Sequence, residues 1–510
     1  MHCYRLALLS LLVVLAACAQ LPPLPTLPEE TALPPGEDTT LDQHIAAGEA
    51  RRPGESAFRL VSDGMEAFAL RARSAQIAGR SLDVQTYIWH EDLTGAFLAH
   101  ELLEAADRGV KVRLLVDDMD ARGKHAAFAA LAAHQNIELR MFNPFASRYG
   151  ALSFAAEALG SFGRINHRMH NKSWIADNRI AIAGGRNLGD EYFGASEEVN
   201  FVDLDFLMIG PVVREASASF DKYWNSPAAY PIEVLDPDGV NATALEAMRP
   251  KLAQFAKQAE TSRYAAALRN DEHLKRLASG DWRMEWSDTF RFVSDDPIKA
   301  TMKEGDPQRS HVASALVPMV QASQTEITII SPYFVPGEEG TAGLTRSAQS
   351  GKQVRILTNS LVANDVAAVH GGYSRHRKAL VEGGVQLWEL KPLSDDVQSS
   401  FFGSSGASLH TKALYVDGRA VFVGSYNLDP RSTWLNCEQG VLVENPVLAQ
   451  ELETIFASQS SGQRAWQVTL NDGDLHWSDG EENFDSDPKA SAGRRFQAWI
   501  TRVLHLDAQL

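Results

Sequence analysis

Two stretches of this 510-residue chain share one pattern: HNKSWIADNRIAIAGGRN at residues 170–187 and HTKALYVDGRAVFVGSYN at residues 410–427. Both read H-x-K-x4-D-x6-G-[GS]-x-N, and every matching position is offset by 240 residues. With average residue usage, a single H-x-K-x4-D occurs by chance in roughly a few per cent of chains of this length. The repeated, longer pattern therefore indicates an internal duplication.

The residue types in each copy suit phosphoryl chemistry. Because side chains alternate along a strand, His170 and Lys172 lie on one face, and so do His410 and Lys412. One imidazole can attack phosphorus and form a phosphohistidine, while the other protonates the leaving alcohol and then deprotonates the incoming one. The two histidines allow both half-reactions without a metal or other cofactor, so we expect neither.

The asparagine that ends each copy completes the set. Asn187 and Asn427 follow glycine-bearing turns and carry neutral amide donors. Together with the two lysines they can surround one phosphate and stabilise the charge that develops on its oxygens. We therefore predict one shared site in which both copies take part.

The segments around the two copies predict the fold. In the first half, strand 81–89 is followed by a helical segment at 95–107 and a strand at 110–116; strand 326–333, helix 340–349 and strand 353–357 repeat this order. Such alternation predicts an α/β fold. We expect two pseudo-symmetric halves, each a mostly parallel β-sheet flanked by helices, with the active site at their junction.

The composition of the remaining segments suggests boundaries. A Pro-rich, extended tether and a helical insert flank the first half, and an acidic stretch with an amphipathic helix ends the chain. The predicted units are a leader 1–18, a tether 19–54, half one 55–225, an insert 226–305, half two 306–465 and a tail 466–510.

The N-terminus has the features of an export signal. Arg5 precedes about a dozen apolar residues, too few to span a bilayer, which needs roughly 20. This run ends in Leu-Ala-Ala-Cys, which resembles a bacterial lipoprotein signal with Cys18 as the lipidated residue; a plain secretory signal is the alternative. We expect a lipoprotein anchored in the bacterial cell envelope, facing the periplasm, most simply in the outer membrane.

The net charge argues against a nucleic-acid partner. The chain carries a formal charge of −17, whereas proteins that grip nucleic acid without sequence preference usually have a basic surface. A nuclease or other phosphodiesterase therefore remains only a second alternative.

The duplicated pattern resembles the signature of the phospholipase D superfamily. Flanking stretches such as YIWHEDLTG (87–95) and GSYNLDPRSTWLNCE (424–438) are similar to bacterial cardiolipin synthases of the C type, and this likeness spans residues 55 to 470. The resemblance implies phosphatidyl transfer between phospholipids at a membrane surface, giving cardiolipin, with phosphatidylglycerol, phosphatidylethanolamine or cardiolipin as partners. The first alternative is a secreted phospholipase D that hydrolyses phospholipids to phosphatidic acid.

The resemblance also implies roles for individual residues. It makes His170 the nucleophile and His410 the acid/base, and it makes Asp203 and Glu438 the carboxylates that orient the imidazoles, each half serving the other. The other motif residues are expected to shape the turns: Asp177, Asp417, Gly184, Gly185, Gly424 and Ser425.

Two weaker features lie in the second half and the tail. His370, Tyr373 and Arg377 share a predicted helix and are candidates for substrate binding, although such a face is more often simply solvated. Residues 494–506 place apolar side chains at helical spacing beside three arginines. This pattern fits either the interface of an anionic bilayer or ordinary docking on the body.

Overall fold

Each copy of the repeated pattern folds as a β-hairpin, and its aspartate begins the turn. In the computed structural model, Asp177 and Asn178 have φ of 52° and 53°, and Asp417 and Gly418 have φ of 54° and 59°. Two consecutive residues at positive φ characterise the type I′ turn, which joins two strands with the correct twist. The pattern thus continues from the catalytic histidine through one tight hairpin.

The structure describes residues 21–121, 123–147, 157, 162–270, 282–301, 311–364, 366–392 and 406–504. The predicted leader and its Cys18 lie outside these ranges. Within them, no helix is both long and apolar enough to cross a membrane.

The first half contains a nine-stranded sheet and its covering helices. Its strands, with one that belongs to a separate two-stranded sheet (β7), are β1 Ser56–Val61, β2 Ser81–Thr86, β3 Lys111–Asp117, β4 Ile137–Phe142, β5 Ser173–Ala176, β6 Ile180–Gly184, β7 Val199–Val202, β8 Asp205–Ile209, β9 Ala229–Pro231 and β10 Glu285–Ser287. Its helices are α1 Thr40–Arg51, α2 Gly64–Ile77, α3 Leu93–Asp107, α4 Asp118–Ala121, α5 His125–Ala132, α6 Phe162–Ile165, α7 Asp190–Phe193, α8 Pro211–Trp224, α9 Ile232–Leu235, α10 Ala242–Thr261 and α11 Arg263–Asn270.

The second half is organised around a ten-stranded sheet. Its strands, with β15 pairing outside the large sheet, are β11 Phe290–Ser294, β12 Glu326–Ile330, β13 Gln353–Asn359, β14 Gln386–Leu390, β15 Gly406–Leu409, β16 Ala413–Val416, β17 Ala420–Gly424, β18 Gln439–Glu444, β19 Ala465–Asn471, β20 Asp474–Ser478 and β21 Asn483–Phe484. Its helices are a 3₁₀ turn Pro297–Thr301, α12 His311–Ala322, α13 Gly337–Gln349, α14 Ala367–Ser374, α15 Arg377–Glu382, α16 Pro430–Trp434, α17 Pro446–Gln459 and α18 Ala492–Leu504.

The two sheets have matching strand orders, which confirms the predicted duplication of an α/β unit. The first reads β10-β1-β8-β6-β5-β2-β3-β4-β9, and the second reads β11-β18-β17-β16-β12-β13-β14-β19-β20-β21. The block β8-β6-β5-β2-β3-β4 thus corresponds strand for strand to β18-β17-β16-β12-β13-β14.

The expectation of mostly parallel sheets is wrong, because both sheets are mixed. Only the β2-β3-β4 and β12-β13-β14 neighbours run parallel, and the other pairs in the two large sheets are antiparallel. The strand–helix–strand alternation correctly describes those three strands in each half. It does not describe the motif hairpins, which lie antiparallel beside these strands.

Backbone contacts join the two halves beside the catalytic histidines. Strand β7 of the first half pairs in parallel with β15 of the second, so that Val202 faces Leu409. On the other side, Met169 forms a bridge with Cys437. Buried side chains of both halves also form one shared hydrophobic cluster, which includes Phe206 and Val441.

The segment predicted as an extended tether, 19–54, packs against the first half in its described part. The Glu30 carboxylate lies 2.6 Å from Lys111 Nζ and 3.2 Å from Arg140. Asp42 in helix α1 accepts a hydrogen bond of 2.7 Å from Arg179 Nε. These ion pairs fasten residues 30–42 to the sheet, so this stretch is not a free spacer.

The predicted insert and tail also extend the sheets. The described part of 226–305 contains helices α9–α11, as its composition suggests, and it also adds β10 to the first sheet and β11 to the second. In the tail, β19 pairs with β14 and continues into β20 and β21. The acidic stretch is therefore partly ordered strand, followed by helix α18.

Candidate active site

The two motif histidines, His170 and His410, lie just before the motif hairpins, at the junction of the two halves. The His170 amide donates to the Cys437 carbonyl at 2.8 Å, and the His410 amide donates to the Val202 carbonyl at 2.8 Å. Each histidine is therefore held by backbone from the opposite half. Both side chains are mostly buried, with 8% of each residue exposed.

A carboxylate from the second half orients His170. His170 Nδ1 lies 2.9 Å from Glu438 Oε2 and 3.2 Å from the Ser425 carbonyl oxygen. Because both neighbours are acceptors, the Nδ1 atom carries the proton, and the neutral ring has its lone pair at Nε2. Nε2 is therefore the atom that can act as a nucleophile.

A carboxylate from the first half orients His410 in the same way. His410 Nδ1 lies 2.6 Å from Asp203 Oδ2. Asp203 and Glu438 are both buried, and the pKa of each carboxyl is lowered: burial pushes it upward, but the contact with its histidine and the charge of the neighbouring motif lysine outweigh this. The structure thus places both implied orienting carboxylates where the resemblance puts them, each across the junction.

Burial and the lysines keep both imidazoles neutral in the unliganded protein. Burial, with an opposing contribution from Glu438, lowers the pKa of His170 to about 4. Burial and the Lys412 charge lower the pKa of His410 as well. A bound phosphodiester brings a negative charge that favours the imidazolium, so substrate binding itself helps to protonate the histidine that acts as the acid.

The charges of both motif lysines act on both histidines and lower the pKa of each imidazole. Lys172 Nζ donates to the His170 carbonyl at 2.5 Å, and Lys412 Nζ donates to the His410 carbonyl at 2.5 Å. Burial lowers the pKa of Lys172 to about 7, and the Lys412 charge contributes to this shift. Two cations that repel each other in a buried site favour an anion between them, which fits a phosphate.

The two asparagines are held differently. Asn187 donates through Nδ2 to the Tyr192 hydroxyl at 2.8 Å and accepts from the Ile88 amide at 3.1 Å. Asn427 is buried, and its Oδ1 has no hydrogen-bond partner. The first amide is therefore fixed by its own half, whereas the second has unused hydrogen-bonding capacity.

The Gly-Gly turn of the first half and the Gly-Ser turn of the second differ because the two orienting carboxylates differ. The Ser425 hydroxyl donates to Glu438 Oε2 at 2.5 Å, the same oxygen that binds His170. In the first half, a Cβ on Gly185 would lie only 2.1 Å from Asp203 Oδ1. The shorter aspartate thus requires glycine at this position, and the longer glutamate leaves room for serine.

The neighbouring glycines permit close approach of backbone strands. A Cβ on Gly184 would lie 2.4 Å from the Leu204 carbonyl, and one on Gly424 would lie 2.3 Å from the Gln439 carbonyl. These glycines therefore let the motif hairpin pack against the strand that follows the orienting carboxylate, β8 after Asp203 and β18 after Glu438.

The motif aspartates hold the hairpin turns and do not face the histidines. Asp177 accepts backbone hydrogen bonds from Gly79, Arg80 and Ser81. Asp417 accepts the equivalent bonds from residues 324–326. Each aspartate thus joins its turn to the start of the neighbouring strand, which is β2 in the first half and β12 in the second.

Aromatic rings pack against both imidazoles, a feature that the sequence interpretation missed. The Tyr87 ring meets the His170 ring edge-on with a centroid distance of 5.2 Å, and Lys172 Nζ lies 5.4 Å from the same tyrosine centroid. Tyr192 and Phe201 flank His410 at 5.4 and 5.2 Å. The sequence signal for this packing was Tyr87 in YIWHEDLTG, a stretch that the sequence analysis used only as part of the family resemblance.

The insert also contributes a support that the sequence did not reveal. Asp295 and Lys299 form a fully buried ion pair of 2.6 Å. Asp295 accepts from the Glu438 amide at 3.1 Å, and Lys299 donates to the Ser432 carbonyl at 2.8 Å. The 3₁₀ turn of the insert therefore braces the segment that carries the orienting glutamate.

The three residues suggested for substrate binding have a structural role instead. His370, Tyr373 and Arg377 are buried. Arg377 binds Glu389 at 2.9 Å and Asp487 at 2.8 Å. His370 binds the same Asp487, and Tyr373 binds the same Glu389. Their polar groups are thus used to fasten the tail to the second half.

Two groups of side chains in the described ranges have metal-ligand chemistry, and neither includes a motif residue. One is His90, Asp92 and Glu191, and the other is His370, Glu389 and Asp487. In the second group Arg377 already binds both carboxylates, so a guanidinium occupies the position that a metal ion would need.

Comparison with known proteins agrees with this geometry. A family model described as "Cardiolipin synthase, PLD-like domain" matches residues 72–224 and 316–459. The chain is 40% identical over 470 residues to cardiolipin synthase C of Escherichia coli, covering 90% of this chain and 97% of that protein. The chain belongs to the phospholipase D-like cardiolipin synthase family.

Two further relatives define how far the likeness extends. An uncharacterized protein of Helicobacter pylori strain J99 is 32% identical over 450 residues and covers 87% of each chain. The solved phosphatidylserine synthase of Haemophilus influenzae aligns with a TM-score of 0.57 at 13% identity, covering 91% of this chain and 100% of that one. At this low sequence identity, the structural match shows only that the two proteins share a fold.

The difference between the two turns predicts unequal effects of matched substitutions. We expect Gly185→Ser to lower the rate of phospholipid turnover by on the order of 10²-fold, because its Cβ would displace Asp203 from His410. Ser425→Gly should lower the rate by only about tenfold, because Glu438 keeps its contact with His170. Initial rates, with thermal unfolding as the folding control, test this. Equal losses in two folded variants would contradict it.

The lowered pKa of Lys172 predicts pH-dependent binding of a phosphate-like anion. Affinity for tungstate should fall as the pH rises through about 7, because Lys172 then loses its proton and its charge. In Lys172→Arg the guanidinium stays charged, so the affinity should stay nearly constant across the same range. Isothermal titration calorimetry at several pH values measures this. An unchanged pH profile in the arginine variant would assign the titration to another group.

Proposed function

We propose that the protein transfers a phosphatidyl group from one phospholipid to a hydroxyl of another through a phosphohistidine at His170, giving cardiolipin. The observation that carries this proposal is the pair of buried imidazoles, each tied at Nδ1 to a carboxylate of the opposite half. This arrangement leaves two Nε2 atoms for chemistry, one to attack and one to move a proton.

The first half-reaction breaks the bond between phosphorus and the headgroup alcohol of the donor. His170 Nε2 attacks phosphorus, and the Nε2–H of a protonated His410 gives its proton to the departing oxygen. Lys172 and Lys412 hold the phosphate oxygens as charge builds on them. The products are a phosphatidyl-histidine, the free headgroup alcohol and a neutral His410.

The second half-reaction reverses these roles. His410 Nε2 takes the proton from the acceptor hydroxyl, whose oxygen attacks phosphorus while the bond between phosphorus and His170 breaks. Phosphatidylglycerol offers such a hydroxyl directly and gives cardiolipin as the product. His170 returns to its neutral form, and His410 returns to the protonated form that starts the next cycle.

The assignment of His170 as the nucleophile is supported by its surroundings. Glu438 divides its Oε2 atom between His170 and the Ser425 hydroxyl, so its pull on the imidazole proton is shared. Asp203 contacts His410 at the shorter distance of 2.6 Å, and no serine stands at the equivalent position 185. The stronger carboxylate contact suits the histidine that must carry the positive charge.

Lipid analysis in cells that lack their own cardiolipin synthases tests the function. Cardiolipin should appear on expression of the wild type and should be at least 10²-fold lower with His170→Ala or His410→Ala, because each half-reaction needs both imidazoles. Mass spectrometry measures the lipids, and His44→Ala serves as the control, because it removes an exposed histidine on helix α1 that is outside both His–carboxylate contacts.

The other outcomes identify the alternatives. Accumulation of phosphatidic acid in place of cardiolipin would make the protein a hydrolase that uses the same site. Turnover of DNA by the purified protein with no change in lipids would make it a nuclease. Full activity of His170→Ala would contradict the phosphohistidine.

We also propose that the chain is an exported lipoprotein whose Cys18 is acylated. The support is the Leu-Ala-Ala-Cys sequence after the apolar run, and the absence of an acidic residue at positions 19 and 20 favours the outer membrane. Metabolic labelling with a fatty acid should label the wild type and leave Cys18→Ala unlabelled. Membrane fractionation should place the labelled protein in the outer membrane, and label retained by the alanine variant would refute the assignment.

A further inference from the structure

Helix α18 is attached to the second half through its small residues. Ala498 and Thr501 are buried, and Ala498 approaches helix α14 so closely that a Cβ on Gly371 would lie 2.5 Å from its carbonyl oxygen. Arg494 donates to the carbonyls of Leu361 and Asn364 at 3.1 and 2.6 Å. The helix is therefore fixed on the body along one side.

The large side chains of the same helix lie on its exposed side. Phe496 is 58% exposed and Trp499 is 49% exposed, and their rings stack with a centroid distance of 5.9 Å. Val366, 39% exposed, lies two residues beyond Asn364, to which the helix is bound. Folding thus buries the small residues of α18 and leaves its aromatic residues in solvent, which is the reverse of ordinary docking on the body.

The charge of this segment is opposite to that of the chain. Residues 488–506 contain Lys489, Arg494, Arg495 and Arg502 and no Asp or Glu, whereas the whole chain has a formal charge of −17. Exposed stacked aromatics beside the exposed Arg495 and Arg502 match the interface of a bilayer that contains anionic lipids. A symmetric contact with a second copy would bring the same cations together, which is unfavourable.

Helix α18 is connected to the candidate active site through a few contacts. Leu361 and Asn364 belong to the loop that follows strand β13, which ends at Asn359. The Asn359 side chain donates to the Leu409 carbonyl at 2.9 Å and accepts from the Leu409 amide at 3.0 Å. Leu409 directly precedes His410, so a short series of contacts connects α18 to one catalytic histidine.

From these observations we infer that α18 docks the protein on an anionic phospholipid bilayer, with Phe496 and Trp499 in the interface. Through the loop after β13 and the Asn359–Leu409 contact, the docked helix is connected to the segment that carries His410. This inference rests on the proposed function for its purpose, but the docking itself can be measured without turnover.

Vesicle binding tests the docking. The full-length Cys18→Ser protein, which cannot be acylated at residue 18, is mixed with vesicles of phosphatidylcholine alone or with a third of phosphatidylglycerol. We expect the double variant Phe496→Ser and Trp499→Ser to bind the anionic vesicles at least tenfold more weakly than its parent. Phe255→Ser is the matched control, because Phe255 is an aromatic of 39% exposure on helix α10; it should bind as the parent does.

Tryptophan quenching locates the contact. Phosphatidylcholine brominated near the headgroup, mixed with phosphatidylglycerol, should quench part of the parent's emission, and Trp499→Phe should lose this quenched part. Equal quenching in Trp499→Phe and its parent would overturn the inference, even if another segment held the protein on the vesicle. A dimer of the parent that the double variant converts to a monomer would assign the patch to a second copy and also overturn it.

Activity separates this inference from the proposed function. The double variant should keep most of its turnover on lipid dispersed in detergent micelles, where docking on a bilayer is not needed, and should lose at least tenfold on vesicles. A parent that docks through Trp499 but turns over no lipid in either form would support the docking and refute the proposed function. Equal losses on micelles and vesicles would refute the docking role.

Discussion

The contact between each catalytic imidazole and a carboxylate of the opposite half is the interaction on which the rest of the structure depends. His170 uses Glu438 and His410 uses Asp203, and all four groups are buried. Removing one partner would leave a buried charge or a polar nitrogen without a hydrogen-bond partner, which would lower the free energy of unfolding. The shared hydrophobic cluster, the β7–β15 pairing and the bridge at Cys437 all keep these contacts closed.

The two halves have the same strand order but do not have equivalent sites. Each histidine and its carboxylate form a dyad. The His410 dyad combines an aspartate with glycine at position 185, and the His170 dyad combines a glutamate with Ser425. The longer side chain needs a second contact to fix its position, and the hydroxyl supplies it. The shorter side chain reaches its histidine only if no side chain stands at position 185. Chain length and turn residue are therefore coupled, and exchanging only one of them in either half disturbs the geometry.

The sequence predicted the parts that repeat, because repetition exposes spacing. The His–Lys pairs and the asparagines follow from the motif, and the resemblance supplied Asp203, Glu438 and the turn role of Asp177. The sequence did not predict the support from Asp295 and Lys299. These two residues lie in a segment with no repeat partner, and their contacts are with positions more than a hundred residues further along the chain. Arg377 was misinterpreted for a related reason: helical spacing shows which residues share a face, but not that Asp487 and Glu389 cover it.

The distance along the chain between the members of each dyad has a consequence for how the enzyme is made. His170 and Glu438 are 268 residues apart, and His410 and Asp203 are 207 apart. Domains generally fold in the order in which they are synthesised, so the first half can fold while the second is still being made on the ribosome. It then has a histidine without its carboxylate and a carboxylate without its histidine. A protein that cuts and joins phosphodiester bonds in lipids thus stays inert until most of its chain, as far as Glu438, has been synthesised and folded.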